Sequence, residues 1–127
     1  LTDTAIAATA GQVRRHAGGA IARTEFGASS GGWTAGGEFP AVADLGDAYS
    51  GNPNHTWSTT VTASQVAAAF PGNGTFLGFG PATRDGNGAL GGRVLTIRLQ
   101  FSGGSITRTG EQVRSALGLR SSWFAPT

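Results

Sequence analysis

At 127 residues, of which only 13% are charged and 22 are glycine, the chain fits a single domain, 1–127, able to bury roughly 65–70% of its unfolded surface. Its nine basic residues are all Arg and scattered; against seven acids they leave a net charge of +2, which excludes the clustered basic stripe of a nucleic-acid binder. Without Cys there is no disulfide, thiolate nucleophile or thiolate metal site, and no apolar run approaches the ~20 residues of a membrane span.

The chain opens Leu1-Thr2-Asp3-Thr4 without Met, as a processed or trimmed chain would. Thr4 to Ala10 is Ala-rich with Thr2 and Asp3 ahead of it, which predicts a short helix that Gly11 ends. Gln12 to His16 and Ala20 to Phe26, around Ala17-Gly18-Gly19, read as a hairpin. From Gly27 to Asn54 the chain is turn-rich, and loops beyond about 12–15 residues are usually functional or mobile. Trp57 to Val61 alternates and is β-branched, which predicts a strand. Thr62-Ala63-Ser64-Gln65 is a capping box ahead of Val66 to Phe70, and Pro71-Gly72 stops that helix.

Thr75 to Thr83 predicts a strand weakened by Gly78, Gly80 and Pro81. Asp85-Gly86-Asn87-Gly88 is a turn. Arg93 to Phe101 is the strongest strand, with Leu95, Ile97, Leu99 and Phe101 on one face and Val94, Thr96, Arg98 and Gln100 on the other. Gly103-Gly104 turns the chain and Ser105 to Thr109 returns. Thr109-Gly110-Glu111-Gln112 opens a helix that Gly118 ends. Ser122-Trp123-Phe124 is expected to close the sheet. The pattern is α+β: mostly antiparallel, a curved or barrel-like sheet with two or three short helices.

Two motifs invite chemistry. Gly27-Ala28-Ser29-Ser30-Gly31 matches the G-x-S-x-G elbow of serine hydrolases, with Asp44 or Asp47 and then His55 in the order Ser, Asp, His. The Gly-rich segment after Ser29 is a poor helix, which argues against that alternative. Gly86 to Gly91 matches G-x-G-x-x-G, but it leads into a strand rather than a helix and reads as a hairpin turn. With His16 and His55 the only histidines, no metal and no cofactor is predicted; His16 is expected to be solvated, and His55 to fix a loop by bonding backbone. Of the acids, Glu111 reads as a capping residue and Asp85 as a turn residue, leaving Glu25, Glu38, Asp44 and Asp47 near the Gly-rich loop. None lies in an apolar stretch that would raise its pKa for proton donation. Trp33, Tyr49, Trp57 and Trp123 offer flat apolar faces to a sugar.

Ala8-Thr9-Ala10-Gly11-Gln12-Val13, Ser29-Ser30-Gly31-Gly32-Trp33-Thr34 and Pro53-Asn54-His55-Thr56-Trp57, in that order, resemble the SpoIID/LytB family of sporulation stage II protein D and amidase-enhancer proteins. Arg84 to Gly88, Gly91 to Val94, Thr109 to Glu111 and Leu117 to Phe124 continue the resemblance over nearly the whole chain, in the manner of high-GC Gram-positive bacteria. The resemblance implies a bacterial, extracellular or cell-wall-associated protein whose partner is the glycan strand of peptidoglycan. It implies a lytic transglycosylase in which one carboxyl group serves as acid and then base. The family's catalytic Glu precedes the region matched, so the chain resembles the C-terminal portion of the domain and is expected not to cleave glycan by itself. Ser29, Ser30, Gly31, Gly32, Trp33 and Thr34 are then expected to wall the saccharide site, braced by His55 and Trp57. A non-catalytic cell-wall-binding or amidase-activating module is the alternative from another class; a cell-wall amidase, or the missing N-terminal part of the domain, is a further expected partner.

Overall fold

A computed structural model describes residues 2–23 and 27–127. The order of elements is α1 (Thr2–Ala8), α2 (Ala63–Ala69), β1 (Phe76–Arg84), β2 (Val94–Phe101), β3 (Gly104–Thr109) and α3 (Gly110–Leu117). The fold is α+β, with an antiparallel sheet in the order β1-β2-β3. The sheet stays open rather than closing into a barrel, because β1 and β3 have no further ladder partner among the described residues.

Both interior helices begin where a capping box predicts. Thr62 and Thr109 each accept a bond from the N3 backbone of their helix, and the Gln65 and Gln112 carboxamides reach back to the cap N–H. At α3 the residue that closes the box is Gln112, so Glu111 is not the capping residue expected; it pairs with Arg114 at 3.3 Å. Gly118 ends α3 in the left-handed conformation. Helices α2 and α3 pack on the sheet and on each other. Between them and β2 lie Val66, Phe70, Ile97, Leu99, Phe101 and Val113, each buried. In α1 no residue is buried.

The alternation of β2 holds from Ile97 to Phe101 and fails before it: Val94 is 3% exposed and Leu95 53%. The register explains this. Thr83 pairs with Thr96 but Arg84 pairs with Val94, so Leu95 is the extra residue of a β-bulge. One extra residue reverses the parity of the pleat and turns Val94 inward. Two more register shifts fall in β1, at Leu77 and around Gly80-Pro81, where Pro81 cannot donate to a ladder.

Three expected pieces of sheet are not strands. Trp57 to Val61 is irregular; Trp57 and Val61 pack against the core while Ser58, Thr59 and Thr60 are exposed, and among the described residues no neighbouring strand pairs with it. Ser122 to Phe124 touches the sheet through a bond from Val94 N–H to Ser122 O, 2.9 Å, and does not extend it. The early hairpin is a tight turn with an isolated bridge, Arg15 to Ile21; Thr24, Glu25 and Phe26 lie outside the described residues. No helix among the described residues is long and apolar enough to cross a membrane.

Candidate functional site

The site grows from the long loop between residues 27 and 56, which folds back on itself through an isolated bridge between Trp33 and Ala43. Thr34 N–H donates to Val42 O, and Asp44 N–H to Gly32 O, both at 2.9 Å. This ribbon brings Asp47 under the serine corner.

Asp47 is the hub. Its side chain is 5% exposed, and a carboxylate that deep needs donors to replace its water. Four groups supply them. Ser29 Oγ–H lies 2.8 Å from both carboxylate oxygens, Ser30 N–H donates to Oδ1 at 2.9 Å, Asn52 Nδ2 to Oδ1 at 3.1 Å, and His55 Nδ1 to Oδ2 at 2.6 Å. The bond from His55, followed by those from Ser29 and Ser30, holds the Asp47 carboxyl well below the ordinary carboxylate range, against the opposing effect of burial. Asp47 is therefore a fixed anion and no proton donor. Because an ionised carboxylate only accepts, His55 carries a proton on Nδ1, and its other nitrogen is a lone pair whenever the ring is neutral. His55 thus bonds a carboxylate, not the backbone expected from sequence.

The serine corner is tied down in the same way. Ser30 Oγ–H donates to Asp44 Oδ2 at 2.8 Å. Gly31 N–H donates to Ser29 Oγ and Gly32 N–H to Ser30 Oγ, both at 3.2 Å. Gly31 is required twice: its φ is +72°, and a Cβ there would lie 3.1 Å from the Trp123 ring. On the sheet side Arg93 staples the corner. Its Nη2 donates to Ser30 O at 2.7 Å and Trp33 O at 3.2 Å, its Nη1 to Ser121 Oγ at 3.1 Å, and its guanidinium lies 5.4 Å from the Trp123 ring centroid.

Beside this network opens a cavity of about 790 Å³. Ser29, Gly31, His55 and Trp57 line it, together with Trp123, Leu90, Arg93 and the Glu111–Arg114 pair. Of the eight residues singled out from sequence, these first four reach the cavity. Ser30, Gly32, Trp33 and Thr34 do not line it; their groups hold the loop, with Thr34 Oγ1 accepting Val42 N–H at 2.9 Å. Sequence reasoning gave no weight to Asn52 or Arg93. Asn52 carries the Asn-x-Asn signal of a turn, since Asn54 N–H donates to its Oδ1 at 3.0 Å; Arg93 stands in the Gly91 to Val94 motif, but nothing local points its side chain to the serine corner.

The triad order Ser29, Asp47, His55 is realised as a cluster but not as a triad. A nucleophilic serine needs the imidazole between itself and the carboxylate; here Ser29 and His55 both bond Asp47. Elsewhere, His16 is not free in solvent but pairs with Glu38 at 2.5 Å and stacks on Phe39. Gly86 to Gly91 does form the β1–β2 connection, with Gly86 N–H donating to Gly91 O at 3.0 Å and Asp85 Oδ1 accepting Asn87 N–H at 3.0 Å. Glu25, one of the acids considered as a proton donor, lies outside the described residues. Among the described residues no three His, Asp or Glu side chains converge to hold a metal ion. Comparisons of the chain with family models, with curated protein sequences and with solved structures find no match.

Proposed function

We propose that the cavity binds the glycan strands of peptidoglycan, as the SpoIID/LytB resemblance of the motifs implies, in a bacterial cell-wall setting. The observation that carries this reading is the mixed lining of the cavity. The hydroxyl of Ser29, the backbone of Gly31 and the imidazole of His55 line one cavity of about 790 Å³ together with the indoles of Trp57 and Trp123. Sugars present an apolar ring face and an equatorial belt of polar groups, and such walls match both. Ser30, Gly32, Trp33 and Thr34 support the corner rather than touch the sugar.

Glycan cleavage does not follow from the described residues of the cavity. A glycosidic bond is broken by a carboxyl group kept protonated in an apolar setting. The carboxylate that lines this cavity, Glu111, is 66% exposed and paired with Arg114. This protein should release no 1,6-anhydro sugar from denuded glycan.

The test is co-sedimentation with purified cell-wall sacculi, denuded of peptide or intact. The parent should bind and Trp123→Ala should lose at least about tenfold in affinity, the order expected from removing one stacking face of roughly 1.5 kcal/mol. If Trp123→Ala, shown folded, sediments as well as the parent, the cavity is not the glycan site.

A further inference from the structure

His55 has a feature that glycan binding leaves unused. Its Nδ1–H is fixed on the buried Asp47 at 2.6 Å, its ring is 31% exposed and lines the cavity, and its Nε2 has no partner among the described residues. When the ring is neutral, the group is a base already oriented, with its second nitrogen turned to the cavity. In the same cavity, Arg120 is tethered through Nη1 to Pro53 O and Asn54 Oδ1, both at 3.1 Å, while its Nη2 and Nε carry no partner among the described residues. A base and an unspent cation in one cavity suit attack on a carbonyl, where a proton must be taken from water and negative charge develops on oxygen. They do not suit a glycosidic oxygen, which needs an acid.

We propose that the cavity hydrolyses acyl esters, with His55 as general base and Asp47 as the residue that positions it; that the ester is one carried by a sugar hydroxyl rests on the glycan reading above. As the water proton passes to His55 Nε2, the water oxygen bonds to the acyl carbon and the carbonyl oxygen becomes an oxyanion near the Arg120 charge. Collapse breaks the acyl C–O bond, and the proton on Nε2 passes to the departing sugar oxygen. One ester and one water give one carboxylic acid and one sugar hydroxyl, and His55 and Asp47 end as they began. Ser29 stays a donor to Asp47 and forms no acyl-enzyme.

The test uses two esters, p-nitrophenyl acetate and an O-acetylated N-acetylglucosamine oligomer. The parent should hydrolyse both faster than an equal concentration of free imidazole. His55→Gln should lose at least about 100-fold, the low end for a general base, and His16→Gln should lose nothing. Added imidazole should restore His55→Gly, which separates lost chemistry from lost folding. In the parent, nitrogen NMR of His55 should find the proton on Nδ1 and Nε2 bare, and Asp47→Asn should abolish that preference. A parent no faster than imidazole, an unaffected His55→Gln, a His55→Gly that imidazole fails to restore, a proton found on Nε2, or a fluorophosphonate adduct on Ser29 would each overturn the proposal. The two readings fail separately: ester cleavage without glycan binding removes only the glycan, and glycan binding without ester cleavage removes only the base.

Discussion

Replacing Asp47 by Ala should unlock the loop without unfolding the domain. Four donors from Ser29, Ser30, Asn52 and His55 converge on this carboxylate. Hydrogen bonds to a charged group contribute about 1.5–3 kcal/mol each when a partner is removed. Ser29, Ser30, Asn52 and His55 are all half-buried, so water reaches them once the loop opens and most of that sum is recovered. A net cost of about 3 kcal/mol to the closed loop is the reasonable remainder, which raises the population of the open loop roughly 150-fold. The cost should stay local. Among the described residues every buried apolar side chain lies between Val66 and Phe124, and local opening follows the distribution of buried contacts. Native-state hydrogen exchange reads both halves of the argument. The amides of Thr34 and Asp44, bonded inside the loop, should exchange roughly 150-fold faster, while those of β2 around Leu99 should change less than about threefold. Equal acceleration of loop and sheet, or an unchanged loop, would refute the view of Asp47 as a local lock.

Acid should imitate that substitution. The folded-state pKa of Asp47 lies below its ordinary value of 3.8, so its stabilisation is complete above about pH 4 and drains away as pH falls further; loop exchange should accelerate below pH 4 in the parent and show no such step in Asp47→Asn. Gly92→Ala should cost more than about 2 kcal/mol in urea denaturation, because the φ there is +87° and a Cβ would overlap Asp85 Oδ1; a cost below about 0.5 kcal/mol would mean the turn can rebuild itself. Thr109→Ala, which deletes the cap of α3, should lower stability by about 1 kcal/mol, and a neutral result would show that the Gln112 carboxamide suffices.

What was legible in sequence was what neighbours decide. Thr62 with Gln65, and Thr109 with Gln112, sit three apart and close their own capping boxes, so the helix starts could be read from a few letters. The run from Ile97 to Phe101 declares its faces by alternation alone. Where a distant partner decides, local pattern misled. Leu95 has the right parity for the core, but the bulge that expels it is set by how β1 pairs. Trp57 to Val61 looks like a strand, yet strandhood depends on a partner that the sequence of the segment does not contain. The serine corner was visible as Ser29 to Thr34, and its hub was narrowed to Asp44 or Asp47 by the order Ser, Asp, His without a choice between them. Asp47 stands 18 residues from Ser29 and 8 from His55, and nothing nearby marks it from Asp44 as the one that is buried.

The Arg93 side chain leaves the serine corner and the Trp123 indole mechanically dependent. It grips the carbonyls of Ser30 and Trp33 with one end of its fork, Ser121 with the other, and lies against Trp123. A guest that wedges the indole outward must therefore drag the hydroxyl side along, or break the clasp. Width and chemistry cannot be adjusted independently, and the strain of an oversized guest is delivered to the start of β2, where Val94 already sits on its bulge. A single ammonium in place of that fork has one point of attachment and would uncouple the sides.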